Sequence, residues 1–254
     1  MTKNRVKQAL KEGQIQLGTS FGQFRCPEIS RLLAAAGFHW AFIDTEHGGF
    51  GVETVQDVCR VANLAGLCPL ARVAELQYSL ITRALDCGAQ GVIFPRVEEP
   101  ALLERAVSWT KFPPAGIRGY GLTAMQTDYE SASFPEVIGH VNGNTMVVLQ
   151  IETRRAVEAC GELLSVPGLD AVMVGPADLS ISLGVPGEFQ HPTMVEAMEK
   201  VRDACIERGV APGTQTRTLK LAQFWKERGM RFLGCSSETG MLFERARELA
   251  SQLA

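Results

Sequence analysis

The sequence predicts an α/β fold: a single closed (β/α)8 barrel over residues 1–254, with one extra helix at its C-terminal end. Three observations predict it. Eight short apolar runs alternate with longer stretches of helical periodicity. Several of those helical stretches run into a glycine that leads straight to the next run. The chain has 254 residues, and such barrels typically need about 250.

The elements follow in order. Residues 1–14 are charged and helical in pattern and lack the apolar core of a secretory signal. Strands are expected at 15–19, 40–44, 69–73, 91–95, 146–151, 171–174, 211–214 and 232–235. Each is a short, continuous, mainly β-branched or apolar run, as expected of parallel strands buried on both faces. Helices are expected at 53–65, 78–87, 100–109, 153–164, 193–208 and 218–228, and the stretch 240–253 reads as one more amphipathic helix. Gly37, Gly88, Gly209 and Gly229 follow helical stretches, because glycine accepts the left-handed conformation that ends a helix. An open doubly wound sheet is the structural alternative, and the count of eight strands favours the barrel.

Lysine plus arginine total 25 and aspartate plus glutamate 28, a net charge of -3. That balance offers no attraction for nucleic acid or an anionic membrane. No apolar run approaches the ~20 residues of a membrane helix. Seven cysteines lie scattered without a C-x-x-C pair. Buried thiols in a reducing cytoplasm are therefore expected rather than disulfides or a zinc site.

Chemistry in such a barrel gathers at the C-terminal ends of the strands. The expected second strand ends in Asp44-Thr45-Glu46-His47, and the third contains Arg72. The fifth carries Gln150 and Glu152, and the sixth runs into Gly175-Pro176-Ala177-Asp178. Thr214-Gln215 and Ser236-Ser237-Glu238 end the last two. Glu152 and Asp178 would converge from neighbouring strands. Two carboxylates so placed need a cation between them, or one holds a proton, and a hard divalent ion suits oxygen ligands. Taken singly, Glu152 also reads as a charge on a helix N-terminus and Asp178 as a helix cap. His47 reads as a base near neutral pH with Asp44 as its partner, or as a solvent-facing loop histidine. Arg72 in a buried run needs an anion, either a substrate oxygen or a structural partner such as Asp44 or Glu152. No lysine ends an expected strand, which disfavours imine chemistry. The chain carries no Walker A sequence, no G-x-G-x-x-G and no G-x-S-x-G.

The segments 42–48 (FIDTEHG), 71–73 (ARV), 88–95 (GAQGVIFP), 113–121 (PPAGIRGYG), 150–153 (QIET) and 175–180 (GPADLS), with Gly187 and His191-Pro192 after them, stand in one order along most of the chain. Together they resemble the HpcH/HpaI aldolases, metal-dependent pyruvate aldolases that include 4-hydroxy-2-oxoheptanedioate and 2-keto-3-deoxy sugar-acid aldolases. The resemblance implies a barrel of the phosphoenolpyruvate/pyruvate type. It implies Glu152 and Asp178 as ligands of Mg2+, Mn2+ or Co2+, and His47 as base with Asp44 in support. Arg72 would stabilise an enolate, Gln150 would line the pocket, and the backbone of Gly175, Pro176, Ala177 and Asp178 would hold the pyruvate carboxylate. The implied substrates are pyruvate and an aldehyde. The implied assembly is a hexamer, a trimer of dimers, with the C-terminal helix exchanged between subunits. One departure is visible: Gly49 stands where the family often has proline. An acyl-CoA lyase of the citrate-lyase-β or malyl-CoA-lyase type is the nearest rival, although no basic cluster suited to a nucleotide stands at a strand end. A non-catalytic 2-oxo-acid-binding barrel is the other, and it predicts loss of one of Glu152, Asp178, His47 or Arg72, all of which are present.

Overall fold

A computed structural model describes residues 1–253, leaving only Ala254 outside. In chain order the elements are α1 (Arg5–Lys11), β1 (Gln16–Phe21), α2 (Glu28–Ala35), β2 (Trp40–Asp44), α3 (Val52–Ala65), β3 (Cys68–Arg72), α4 (Tyr78–Asp86), β4 (Gly91–Phe94) and α5 (Pro100–Ser108). After them come α6 (Phe134–Asn144), β5 (Met146–Ile151), α7 (Arg154–Glu158), α8 (Cys160–Leu163), β6 (Ala171–Val174) and α9 (Pro176–Ser182). The chain ends with α10 (Pro192–Glu207), β7 (Gly213–Thr216), α11 (Leu219–Glu227), β8 (Phe232–Ser237) and α12 (Glu238–Leu253). Every strand pairs in parallel with its successor, and β8 returns to β1, closing the barrel.

Side chains alternate across each strand, so one parity fills the barrel and the other packs under the helices. Trp40, Phe42, Leu70, Ile93, Val148, Met173 and Phe232 form one buried cluster, joined by Val6 and Leu10 of α1. Trp40 stacks on Phe232 with ring centres 4.1 Å apart, and its indole N–H donates to the Gln16 carbonyl. The other parity, including Val92, Phe94, Val147, Leu149, Ile151, Val172 and Val174, packs against α4, α5, α7, α8 and α10. Asp44 shares the parity of Phe42, Arg72 that of Leu70, and Gln150 that of Val148. The period-2 rule therefore aims these polar ends into the barrel mouth.

Beyond shifts of one or two residues at other strand ends, three departures from expectation have a local cause. β7 begins at Gly213 rather than at 211, because Pro212 has no N–H for a ladder and Ala211 makes only an isolated bridge to Ala171. The expected helix 153–164 is two helices, interrupted at Ala159, whose ψ of 6° leaves the helical region. The helix α6 was not expected, because Gly139 and Gly143 depress its propensity. It starts at a capping box, in which Ser133 and Glu136 satisfy each other.

Candidate active site

Asp44 and Arg72 are the last residues of β2 and β3 and stand side by side in the register. Their side chains form a fork: Arg72 Nε donates to Asp44 Oδ1 at 3.1 Å and NH2 to Oδ2 at 2.6 Å. Burial would raise the Asp44 carboxyl. The Arg72 hydrogen bond and charge, with the N–H groups of His47 and Glu46, outweigh burial and hold it below the usual carboxylate range. Of the partners considered for Arg72, Asp44 is met, and Glu46 takes the place of Glu152, with its Oε2 3.3 Å from Arg72 NH1.

The expected contact between Asp44 and the His47 ring is not made. Asp44 Oδ1 accepts the backbone N–H groups of Glu46 and His47 at 3.0 and 3.1 Å, so it shapes the turn that carries the histidine. The carboxylate nearest the imidazole is Glu46, 3.9 Å from Nε2. The ring itself is largely exposed. The physical reason is competition: two backbone donors and a guanidinium already surround Asp44. Gly48 is needed here, since a Cβ would come within 2.1 Å of the Asp44 carbonyl, whereas a Cβ at Gly49 would meet only Arg25 NH2, at 4.0 Å.

Ile151 pairs with Val174, which sets Glu152 beside Gly175 at the ends of β5 and β6. A Cβ on Gly175 would lie 2.9 Å from Glu152 Oε2 and 3.1 Å from its Cβ. Glu152 is buried. Its Oε1 accepts the Arg96 N–H at 2.9 Å and its Oε2 accepts from the Gln150 amide. Burial pushes the Glu152 carboxyl up, those two hydrogen bonds oppose the rise, and the charges of Glu46 and Asp178 add to it. Asp178 stands in the first turn of α9, half-buried. Of the four backbone groups expected to hold a carboxylate, the Gly175 N–H is already given to the Ile151 carbonyl and Pro176 has none. That leaves the N–H groups of Ala177 and Asp178, in the first turn of α9.

Two participants were missed by strand-end reasoning. Glu46, buried to 9% exposure, gathers Arg72, Arg96 and His47 around one carboxylate. Arg96, just past β4, adopts a left-handed φ of 55° while its N–H reaches Glu152 and its Nε reaches Glu46 Oε1 at 3.3 Å. A strained non-glycine residue at a strand end is itself a pointer to a site. The signal available in sequence was the charge pair Glu46 and Arg96 at two strand ends. The remaining polar ends are structural. Thr214 Oγ1 donates to the Val174 carbonyl, Gln215 Nε2 to the Ser236 carbonyl, and Glu238 accepts the N–H groups of residues 22–24. His191 caps α10.

The donor set fits a hard cation. Gln150 Oε1, a buried oxygen without a hydrogen-bond donor, belongs to the residue whose amide holds Glu152. A cation would also reverse the penalty that burial and neighbouring acids impose on Glu152. Among the described residues no group of three or more His, Cys, Asp or Glu forms a preassembled cage.

Comparison with known proteins agrees with this geometry. The model of the HpcH/HpaI aldolase/citrate lyase family matches residues 21–244. The chain is 34% identical to 4-hydroxy-2-oxo-heptane-1,7-dioate aldolase of Escherichia coli over 249 residues, 98% of this chain and 94% of the relative. The crystal structure of an HpcH/HpaI aldolase from Desulfitobacterium hafniense superposes with a TM-score of 0.93 at 31% identity, covering 98% of this chain and 96% of that one. A family protein from Burkholderia cenocepacia gives 0.90 at 30% identity, covering 98% and 99%. Dependence on a divalent metal is general in the family. The chain belongs to the HpcH/HpaI aldolase/citrate lyase family and is a carbon–carbon lyase.

Proposed function

We propose that this protein cleaves 4-hydroxy-2-oxo acids to pyruvate and an aldehyde, and runs the reverse condensation, with Glu152 and Asp178 holding a divalent metal ion. The observation that carries this reading is the placement of Glu152, flush against Gly175 and within the field of Asp178, beside the Arg72–Asp44 fork. A divalent ion, when bound, supplies Lewis acidity toward a 2-oxo acid.

The chain's own residues supply the rest. Asp44 and Glu46 hold the Arg72 guanidinium at the strand ends, where it offers positive charge to a developing enolate oxygen. Gln150 keeps Glu152 in place through its amide. The N–H groups of Ala177 and Asp178 orient the pyruvate carboxylate. His47, on a turn shaped by Asp44 and close to Glu46, accepts the proton of the 4-hydroxyl in the cleavage direction. The Gly48-Gly49 turn lies beside the ring and sets room for the aldehyde half.

The same reading covers assembly and setting. No helix is long and apolar enough to cross a membrane. On α12, Leu242, Phe243 and Leu249 are exposed, which suits packing on a neighbouring copy in a hexamer, a trimer of dimers, in the cytoplasm. A sedimentation mass near that of one chain would refute the assembly. The activity test treats the protein with a chelator and offers pyruvate and an aldehyde, with and without Mg2+, Mn2+ or Co2+. Turnover that requires the metal is the expected result. Turnover that survives the chelator and is trapped by borohydride overturns the reading.

A further inference from the structure

Arg96 stands just past β4 at the barrel mouth and is held at two points. Its N–H donates to Glu152 Oε1 at 2.9 Å, and its Nε donates to Glu46 Oε1 at 3.3 Å. The backbone is thus tied to a proposed metal ligand, and the side chain to the acid nearest the proposed base. That same Glu46 oxygen lies 3.9 Å from His47 Nε2. The guanidinium and the imidazole therefore flank a single atom. Both face solvent: the Arg96 side chain is 65% exposed and that of His47 59%, whereas Glu46 between them is buried.

The pairing leaves part of Arg96 uncommitted. Among the described residues Glu46 is its one side-chain partner, reached through Nε. Glu46 is itself shared with Arg72, whose NH1 is 3.3 Å from Oε2. The NH1 and NH2 groups of Arg96 have no acceptor among the described residues, and together they form the edge that grips both oxygens of a carboxylate. An ion pair this exposed adds little to stability, so holding the fold together does not account for the charge. Its place beside the reaction does. In the cleavage direction His47 takes the proton of the 4-hydroxyl, on the carbon that becomes the aldehyde. A guanidinium across one oxygen from His47 borders the substituent which that carbon carries.

We propose that Arg96 is a specificity-determining residue, which selects aldehydes carrying a carboxylate a short distance from the carbonyl carbon. This deepens the aldolase reading and rests on it. The carboxylate replaces water on NH1 and NH2 while Nε keeps its hold on Glu46. The two tethers fix the guanidinium before the substrate arrives, so the carbonyl is oriented as it binds.

The test measures condensation with pyruvate by the Mn2+-loaded full chain. It uses two pairs of aldehydes: glyoxylate with its methyl ester, and succinic semialdehyde with its methyl ester. Arg96→Asn removes the guanidinium and accepts the left-handed φ of 55° found here. Arg96→Lys keeps the charge without the fork. The wild type is expected to favour at least one acid over its ester. In Arg96→Asn that preference in kcat/KM should fall at least about tenfold, through KM, with part of it restored in Arg96→Lys. Mn2+ affinity, read by calorimetry, should be retained, because the N–H to Glu152 remains. The pair that responds reports the length of the aldehyde. A preference equal in wild type and Arg96→Asn, or esters favoured over acids by the wild type, overturns the role of Arg96 and leaves the aldolase reading standing. So does a loss of Mn2+ affinity with acid and ester slowed alike, which would make Arg96 a support of Glu152. Turnover of none of the four aldehydes by the wild type overturns the aldolase reading itself, and this proposal with it.

Discussion

Gly175 has no room for a side chain, because Glu152 fills the space a Cβ would take. Gly175→Ala is therefore expected to push Glu152 aside and weaken Mn2+ binding about 10–100-fold, read by titration calorimetry. An unchanged affinity would separate Glu152 from the metal. His47 makes no hydrogen bond through its ring to the acids assigned to the metal. Changing it to alanine should lower turnover about 10²–10⁴-fold and leave metal affinity intact. Arg72 is different in kind. Its removal as Arg72→Met leaves the largely buried Asp44 without its cation and Glu46 with Arg96 alone. Breaking such a pair costs about 3–5 kcal/mol, so a lowered denaturant midpoint should accompany the loss of activity. Position along the chain was enough to place Asp44, Arg72, Gln150 and Glu152 at strand ends of one parity, and Asp178 in the first turn of the helix that follows β6. Which carboxylate touches which cation was not legible. Asp44 serves Arg72 and the turn, and Glu46 lies nearest His47, because donors a few ångströms apart compete for the same oxygens.

At the scale of the elements, the barrel's interior imposes demands that a strand pattern does not reveal. Gly18 on β1 lies under the Trp40 indole, and a Cβ there would sit 2.1 Å from two of its ring atoms. Gly18→Ala should displace Trp40 from its stack on Phe232. The expected effect is destabilisation of about 1–3 kcal/mol, with a change in tryptophan fluorescence. A variant as stable as the wild type would show that the barrel floor is loosely packed. The same scale explains the boundaries. Proline chemistry delays β7, which local reasoning could have used. The helix α6 depends on a capping box and on burial of Val137, and its two glycines hid it from propensity. Polar groups at the end of β8 were read as candidate chemistry. The Ser236 carbonyl, turned inward by a left-handed φ of 58°, in fact collects the hydroxyls of Thr19 and Ser20 and the Gln215 amide, tying β8 to β1 and β7.

At the scale of the whole molecule, Lys111 carries its charge at a burial cost. Lys111 is mostly buried, donating to the carbonyls of Asn142 and Thr145, and Lys7 reaches the same Thr145 oxygen. Burial, with the nearby charges of Lys7 and Arg118, pushes the Lys111 amine down to about 8, against the opposing pull of Asp170. Its usual value is 10.5. Between those values the unfolded chain binds more protons than the folded one, so the stability due to Lys111 rises with pH across that window. Urea unfolding at pH 7.5 and pH 10 should show wild type gaining on Lys111→Gln at the higher pH. A constant difference would mean the amine stays charged throughout.

The order and number of strands, the inward parity of the polar ends and the family motifs are properties of local sequence, since hydrophobic periodicity and glycine stops act over a few residues. They determined the barrel, the lyase class and most of the candidate residues. Closure of the barrel decided what periodicity cannot encode. It brought Glu46 and Arg96, fifty positions apart, onto one carboxylate–guanidinium contact, and it paired Arg118 with Asp86 and Gln90 with Asn63 far from the mouth. Hydrogen-bond partners and cavities depend on distances between segments remote in the chain, and those distances exist only once the strands have paired.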